Sequence, residues 1–161
     1  MTYITAITAA RTSGGCVFCE ALSGSDDRKS LLLARRAQAF LILNRYPYAA
    51  GHLMAVVNRH VGTLPEATAG EMTGAIELVS LGISLLTAEY RPEGFNVGLN
   101  QGRVAGAGIV DHLHIHVVPR WNGDNAFISV VGDPRAAGGS RNHVRSPQGP
   151  TRWLSATTSR R

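Results

Sequence analysis

The chain has 161 residues, of which 44% are hydrophobic and 17% charged, values that favour one globular domain with a real core. Its net charge of +5 lies entirely in residues 132–161, which hold six arginines and one aspartate, so the high isoelectric point says little about the rest. No apolar run approaches the roughly 18–20 residues of a membrane span and the first residues lack a signal-peptide pattern, so we expect a soluble, cytoplasmic protein.

The N-terminal part, residues 1–30, has an irregular pattern and contains the two cysteines of the chain, Cys16 and Cys19, spaced as CxxC. Two cysteines do not make a disulfide framework. In a reducing compartment this spacing indicates half of a metal site or a redox pair.

Apolar runs then predict three stretches of extended structure, at 31–34, 39–43 and 52–57. The segment NRYPYAAG precedes the last of these runs. Its proline and glycine, Pro47 and Gly51, predict a turn.

The strongest helical pattern covers residues 64–90. Pro65 suits a position in the first turn of a helix, and Thr63 is placed to cap it. The apolar residues at helical spacing, which predict the buried face, are Met72, Ile76, Val79, Ile83 and Leu86. The segment Arg-Pro-Glu-Gly that follows predicts the end of the helix.

Two further strands are predicted on either side of a loop of small residues, GRVAGAG at 102–108. The runs at 95–100 and 112–118 have strand character, and we expect Pro119 to end the second. A short last strand is predicted at 127–131. Strands, one long helix and then more strands predict an α+β domain with a mostly antiparallel sheet.

Residues 132–161 form a basic tail rich in glycine, proline, serine and arginine, with no apolar periodicity. This composition predicts disorder or loose coil. Contact of the arginines with nucleic acid or another anionic partner is the less favoured alternative. The folded domain is therefore expected to end near residue 131.

Three histidines occupy alternate positions in HLHIHVV, at His112, His114 and His116. Alternate side chains on a strand share a face, so the three imidazoles would form a row on one wall of a cleft. Three interpretations follow. In the first, the row is simply a polar face of the sheet. In the second, it is a metal site like those that histidine pairs form with zinc. In the third, it is a catalytic site in which a neutral imidazole attacks phosphorus and carries a nucleotidyl group.

The nucleophilic interpretation needs donors that hold phosphate oxygens as negative charge builds. The loop at 102–108 is expected to present uncovered backbone N–H groups, as a phosphate cradle requires. The side-chain amides of Asn100 and Gln101 lie just before this loop, and His116 shares the face of His114. All three are candidate phosphate ligands.

Several separated motifs of the sequence resemble the histidine triad (HIT) superfamily. HLHIHVV fits the pattern His-φ-His-φ-His-φ-φ, and CVFC, LNRYPYAAGHLMAVVNRH, GFNVGLNQG and HVVPRWNGDNAF also resemble the family over most of residues 14–131. The ending PRW-x-G-D-x-x-F is most similar to the bacterial branch of diadenosine-tetraphosphate phosphorylases and hydrolases. The resemblance implies a HIT-like α+β fold in residues 14–131, a homodimer or higher oligomer, and no organic cofactor.

The resemblance also implies a role for each site residue. His114 would be the nucleophile that becomes nucleotidylated, His116 would bind the phosphate and stabilise the transition state, and His112 would orient the strand or bind a metal. Asn100 would hold the scissile phosphate, with Gln101 nearby. The other substrate-binding residues implied are Asn44, near the nucleoside, and the loop residues Gly106, Ala107 and Gly108.

The implied substrate is a dinucleoside polyphosphate such as diadenosine tetraphosphate. From the sequence itself we expect no membrane partner, and nucleic acid is the less favoured partner. Attack on its α-phosphate releases one half, and transfer to water or inorganic phosphate completes the reaction. Phosphorylase relatives are expected to have Gly-Ser where this chain has Ala107-Gly108, so hydrolysis is at least as well supported as phosphorolysis. The alternatives are a nucleoside phosphoramidate or AMP-ester hydrolase of the same superfamily, and a non-catalytic nucleotide-binding protein.

A structural zinc site is the last implication of the resemblance. In zinc-bearing relatives the ligands that join the CxxC pair resemble His60 and His112, which implies Zn²⁺ bound by Cys16, Cys19, His60 and His112. The alternative is two reduced cysteines in a vestigial site. A catalytic metal is disfavoured, because the nucleophile must keep its nitrogen free. Two interpretations of His52 are equally favoured. It supports the strand that carries the nucleophile, or it is a core histidine whose hydrogen bonds are satisfied within the fold.

Overall fold

The structure is a computed structural model that describes residues 15–124. The strand predicted at 127–131 and the tail at 132–161 lie outside these residues. The helices, in chain order, are α1 (Val17–Ser23), α2 (Asp27–Ser30) and α3 (Ala69–Tyr90), and the short 3-10 turns are Leu64–Glu66 and Arg103–Ala105. The strands are β1 (Leu32–Arg35), β2 (Ala39–Leu43), β3 (Leu53–Val57), β4 (Gly94–Gly98) and β5 (His114–Arg120).

The five strands form one sheet in the order β1-β2-β3-β5-β4, and every neighbouring pair is antiparallel. With α3 as the one long helix between residues 15 and 124, this sheet confirms the predicted α+β fold. Strands β3 and β5 lie side by side near the centre, with Met54 opposite His116 and Val56 opposite His114. The last two histidines of HLHIHVV are therefore held in the middle of the sheet.

The two faces of the sheet have different coverings, because side chains alternate along each strand. Leu113, Ile115 and Val117 turn to one face, where they join the main core under α3. Phe40, Met54 and Val56 turn to the other face and pack with Phe18 of α1. His114 and His116 share this second face, which confirms the predicted division of alternate residues.

Helix α3 begins five residues later than predicted, at Ala69. The reason lies in two successive Thr-x-x-Glu segments. Thr63 and Glu66 bond to each other around the separate 3-10 turn. Thr68 and Glu71 then form a reciprocal capping box that starts the α-helix.

The predicted buried face of α3 is partly wrong. Ile76 is 52% exposed, and the residues that face the sheet include Ala75, Leu78 and Gly82. A Cβ at Gly82 would lie 3.1 Å from Leu53 Cδ1, so the glycine allows the helix to approach the sheet closely. The sequence did not predict this contact, because glycine in a helical pattern indicates only a weak helix former.

By length and composition alone α3 would pass for a membrane span, which the apolar runs of the sequence did not predict. Its contacts are those of a core helix, since it packs on β2, β3 and β5. Helix α3 is therefore part of the domain core.

Strand β5 differs from the predicted 112–118 at both ends. His112 precedes the strand, and Pro119 lies inside it, opposite Phe95 of β4. Pairing with β3 stops at Val117, so the proline lies where β5 has a partner on one side only. A residue without an N–H group is tolerated at such an edge.

Candidate functional site

His114 lies at the centre of the site and is 5% exposed. Its Nδ1 lies 2.7 Å from the carbonyl oxygen of His112. A carbonyl can only accept, so Nδ1–H donates and Nε2 carries the lone pair. Burial, the largest cause, lowers the pKa of His114 and keeps the ring neutral near pH 7. The structure thus gives this imidazole an unprotonated nitrogen.

His116 is set in the opposite tautomer through His52. The backbone N–H of Tyr48 donates to His52 Nδ1 at 3.3 Å, which makes that nitrogen an acceptor. His52 must then donate through Nε2–H to His116 Nδ1, at 2.9 Å. The remaining nitrogen of His116, Nε2, therefore carries a proton.

Both members of this histidine pair are neutral at physiological pH. Burial, and after it the neighbouring imidazoles, lowers the pKa of His52 to about 4 and that of His116 to about 3. The rings of His114 and His116 are 4.9 Å apart in an edge-to-face arrangement. A nitrogen lone pair and an N–H donor thus lie side by side on one sheet face.

Asn100 follows β4 and supplies an unused donor. Its Nδ2 is buried and has no hydrogen-bond partner among the described residues. A buried amide left in this state costs about 1–3 kcal/mol, so a ligand oxygen would satisfy it. Gln101 is oriented differently: its side chain is exposed, and its Oε1 accepts from the backbone N–H of Leu64 at 2.8 Å.

The loop after Gln101 does not present all the free amides that the sequence predicted. The N–H groups of Ala105, Gly106 and Ala107 donate to carbonyl oxygens within the loop. Gly106 adopts the left-handed conformation, with φ 88°, which closes this turn. Of the three loop residues predicted to bind substrate, only Gly108 has an N–H without a bond to a described residue.

A cavity of about 760 Å³ opens on the same side as the histidines, within the usual range for small-molecule sites. Phe18, Ile42 and Met54 give it apolar walls, and Gly108 lines it too. Asn44 joins the cavity to the histidines, because its Nδ2 donates to His52 Nδ1 at 3.2 Å. The predicted nucleoside residue therefore lines this cavity.

The four predicted metal ligands come together beside this cavity. One donor atom from each of Cys16, Cys19, His60 and His112 lies within 4.8 Å of all the others. The Sγ atom of Cys16 is 3.2 Å from His112 Nδ1, and that of Cys19 is 3.3 Å from His60 Nδ1. Tetrahedral zinc with ordinary bond lengths sets nitrogen and sulfur about 3.5 Å apart, so the spacing suits this metal.

The tautomer of His112 also suits a metal. Its Nε2 lies 2.8 Å from the carbonyl oxygen of Val57 and must donate to it, which leaves Nδ1 facing the thiols without a proton. A backbone carbonyl in this position orients a histidine ligand. Burial, more than any other cause, lowers the pKa of His112 and so keeps the ring neutral.

Some side chains of the site were not singled out in the sequence. Phe18 packs against the rings of His112 and His114, at 5.4 and 5.1 Å between ring centroids. Tyr48 covers His52 at 4.7 Å. The only sequence signal for Phe18 was its position between the cysteines of CVFC, and Tyr48 lies in the turn segment NRYPYAAG.

The comparison with known families agrees with this geometry. The sequence model of the HIT domain family matches residues 26–123. The chain belongs to the HIT domain family. This confirms the resemblance carried by the separated motifs. The two cysteines lie before the matched segment of the HIT domain.

Individual HIT proteins cover different shares of the chain. An AP-4-A phosphorylase of Mycobacterium tuberculosis is 43% identical over 106 residues, 66% of this chain and 54% of that protein. The chain thus spans about half the length of this relative.

Solved HIT structures share the fold. A hypothetical histidine triad nucleotide-binding protein of Sulfolobus tokodaii superposes with a TM-score of 0.58 and 28% identity, covering 70% of this chain and 74% of that chain. A zinc-bound histidine triad family protein of Mycobacterium smegmatis superposes with a TM-score of 0.62 and 23% identity. The match covers 76% of this chain and 97% of that chain.

Proposed function

We propose that this HIT protein is a nucleotidyl hydrolase or transferase that cleaves dinucleoside polyphosphates such as diadenosine tetraphosphate through a nucleotidyl-histidine intermediate. The observation that carries the proposal is the pair of opposite tautomers on one sheet face. His114 offers an unprotonated Nε2, and His116 offers an N–H donor beside it. Nucleophilic catalysis at phosphorus requires both groups.

In the first step Nε2 of His114 attacks the α-phosphorus of the substrate. The N–P bond forms, and the bond from phosphorus to the bridging oxygen breaks, so the leaving nucleotide departs with the electron pair. His116 Nε2–H and the unpartnered amide of Asn100 donate to the phosphoryl oxygens as their charge grows. The base and ribose occupy the cavity between Phe18 and Asn44.

In the second step an acceptor oxygen attacks the phosphorus of the nucleotidyl group on His114. The O–P bond forms as the N–P bond breaks, the imidazole regains its lone pair, the proton of an attacking water passes to solvent, and the nucleotide leaves. Water and inorganic phosphate are both possible acceptors. The name of the Mycobacterium tuberculosis relative supports phosphate. The pair Ala107-Gly108, which offers no side-chain hydroxyl, supports water.

The products formed in phosphate buffer distinguish the two acceptors. AMP with ATP indicates transfer to water, and ADP with ATP indicates transfer to phosphate. Insertion of a hydroxyl by Gly108→Ser is expected to raise the share of ADP if the glycine limits phosphate binding. An unchanged product ratio would remove Gly108 from this role.

Zinc held by Cys16, Cys19, His60 and His112 is proposed to act as a structural tie between α1 and the sheet. The support is the donor set itself, two thiols and two imidazole nitrogens, which zinc prefers. Bound there, the metal supplies a fixed cross-link and no chemistry at phosphorus. Metal analysis of the purified protein tests this: about one zinc per chain is expected, with Cys16→Ser losing it.

A homodimer in the cytoplasm is proposed as the working form. The free thiols Cys16 and Cys19 suit a reducing compartment. Exposed apolar side chains on α3 and β4 give a second copy a surface to cover: Ile76, Leu85, Tyr90 and Val97. Ile76→Lys is expected to shift the protein from dimer to monomer in analytical ultracentrifugation.

The His114→Ala variant separates the proposed enzyme from a nucleotide-binding protein. We expect its turnover of diadenosine tetraphosphate to fall by at least about a thousandfold while affinity for the nucleotide stays within a few-fold. A wild-type protein that binds the nucleotide and cleaves neither this substrate nor an AMP ester or phosphoramidate would favour the binding protein. Turnover confined to esters or phosphoramidates would favour the alternative hydrolase of the same superfamily.

A further inference from the structure

Phe18 touches both the nucleophile and the residue that orients it. Its side chain is 2% exposed. The ring stands edge-on to His112, at 5.4 Å and 77°, and is tilted against His114 at 5.1 Å and 54°. One apolar ring therefore limits how both imidazoles can rotate.

Phe18 lies between two cysteines whose contacts reach across the fold. Phe18 is the one buried residue of α1, and Cys16, which precedes the helix, makes no side-chain cap to it. At this end of α1, the contacts that reach across the fold include those from Cys16 to His112 and from Cys19 to His60. The other end is held separately, by Arg35.

We propose that Phe18 is a positioning residue for His114 and that the Cys16–Cys19 pair controls its position. The inference rests on the proposed function, because it takes His114 as the nucleophile. With the four-residue cluster closed, Phe18 holds the His114 ring so that Nδ1–H reaches the carbonyl of His112 and Nε2 keeps the lone pair. With the cluster open, the N-terminal end of α1 loses these contacts, the ring gains rotational freedom, and its Nε2 is no longer held in place.

The cluster thus has a function beyond stability. Cys19 makes no contact with His114 in the structure, so its effect on the nucleophile has to pass through Phe18 or through His112. The two routes predict different results when Phe18 and Cys19 are changed together. Effects that share one route are not additive.

The kinetic test uses Phe18→Leu, Cys19→Ser and the double variant in the full chain, with zinc added. Each single change is expected to lower kcat about tenfold, as small misplacements of a reacting group do. The double variant is expected to be no slower than the slower single variant. Multiplied losses would overturn the route through Phe18.

A matched control is Phe40→Leu, in the same apolar cluster and 6.4 Å from the Phe18 ring. It removes the same volume and no ring contact with a triad histidine, so it should lower stability and leave kcat within about twofold. Phe18 also lines the nucleotide cavity. If it were only a wall, Phe18→Leu would raise KM and spare kcat, which would contradict a positioning role.

A spectroscopic readout keeps this inference separate from the proposed function. Imidazole ¹⁵N spectra of the zinc-loaded wild type should show His114 in the Nδ1–H tautomer alone. Phe18→Leu and Cys19→Ser should show exchange between both tautomers, and Phe40→Leu should match the wild type. These spectra need no turnover, so a wild type without activity would contradict the proposed enzymatic function and leave the positioning role of Phe18 to be tested by the spectra. Unchanged His114 signals in both variants would overturn the inference.

Discussion

Single hydrogen bonds decide which ring nitrogen of each buried histidine carries a proton. The HLHIHVV spacing predicted a shared face for His114 and His116, and the structure confirms it. The opposite tautomers could not be predicted, because they depend on a backbone carbonyl and on the N–H of Tyr48, which is far away in sequence. The roles assigned to these histidines stay predictions until they are measured.

A substitution at Asn100 should lower the activity of the protein without lowering its stability. Asn100→Leu removes a buried donor that has no partner, so the free energy of unfolding should stay the same or rise. Loss of a donor to the phosphoryl oxygens should lower kcat by about a hundredfold. Urea unfolding and steady-state kinetics measure the two effects.

Asn58 is the matched control, since it is the other described residue with an unpartnered buried amide atom. Its Nδ2 donates to the carbonyl oxygens of Arg36 and Ala37, so Asn58→Leu should lower stability by about 1–2 kcal/mol and leave kcat unchanged. Asn100→Leu with full activity would exclude Asn100 as a phosphate ligand.

The buried histidine pair predicts how stability depends on pH. Folding lowers the pKa of His52 to about 4 and of His116 to about 3, from 6.5, mainly through burial. At a pH between the folded and unfolded pKa values, the unfolded chain binds more protons than the folded chain. The free energy of unfolding is therefore highest above about pH 6.5 and falls as the pH drops towards 4. Urea titrations at pH 7, 6 and 5 should show a steady decrease, and equal values would contradict the burial of neutral rings.

At the scale of elements, strand positions were predictable because alternation and turn residues are local signals. Strands β2 and β3 match the predicted runs within one residue. The helix start was not predictable from Pro65, since the neighbouring Thr-x-x-Glu segments compete locally and the second one begins α3. Its buried face depends on contacts with β2 and β3, which no local pattern contains.

Two glycines of α3 give opposite expectations for added side chains. A Cβ at Gly70 would meet nothing within 4 Å, so Gly70→Ala should stabilise the protein by about 0.5 kcal/mol. Gly82 packs on Leu53 and Leu41, so Gly82→Val should destabilise it by about 1–3 kcal/mol. Chemical unfolding measures both, and a stabilising Gly82→Val would contradict the close contact between helix and sheet.

At the scale of the whole molecule, distant segments meet at one site. Cys16 and His112 are 96 positions apart and lie 3.2 Å from each other. The motif resemblance predicted this grouping of ligands, which composition and spacing alone left open. The loop at 102–108 was predicted less well, because its amides bond within the loop, a matter of backbone conformation that glycine content does not reveal.

Metal binding should therefore stabilise the whole domain. Zinc that binds only the folded chain raises the free energy of unfolding by mass action. Thermal unfolding should shift upward with added zinc in the wild type and downward with a chelator, with neither shift in Cys16→Ser. A zinc-independent melting temperature in the wild type would favour a vestigial site with two reduced cysteines.

The covalent intermediate is the most direct test of nucleotidyl transfer. The protein is mixed with diadenosine tetraphosphate labelled in its α-phosphates, quenched within milliseconds, digested and mapped by mass spectrometry. We expect one labelled nucleotidyl group on His114, absent from His114→Ala and present in wild type before the steady state. Turnover with no labelled histidine, or with the label on another residue, would contradict His114 as the nucleophile.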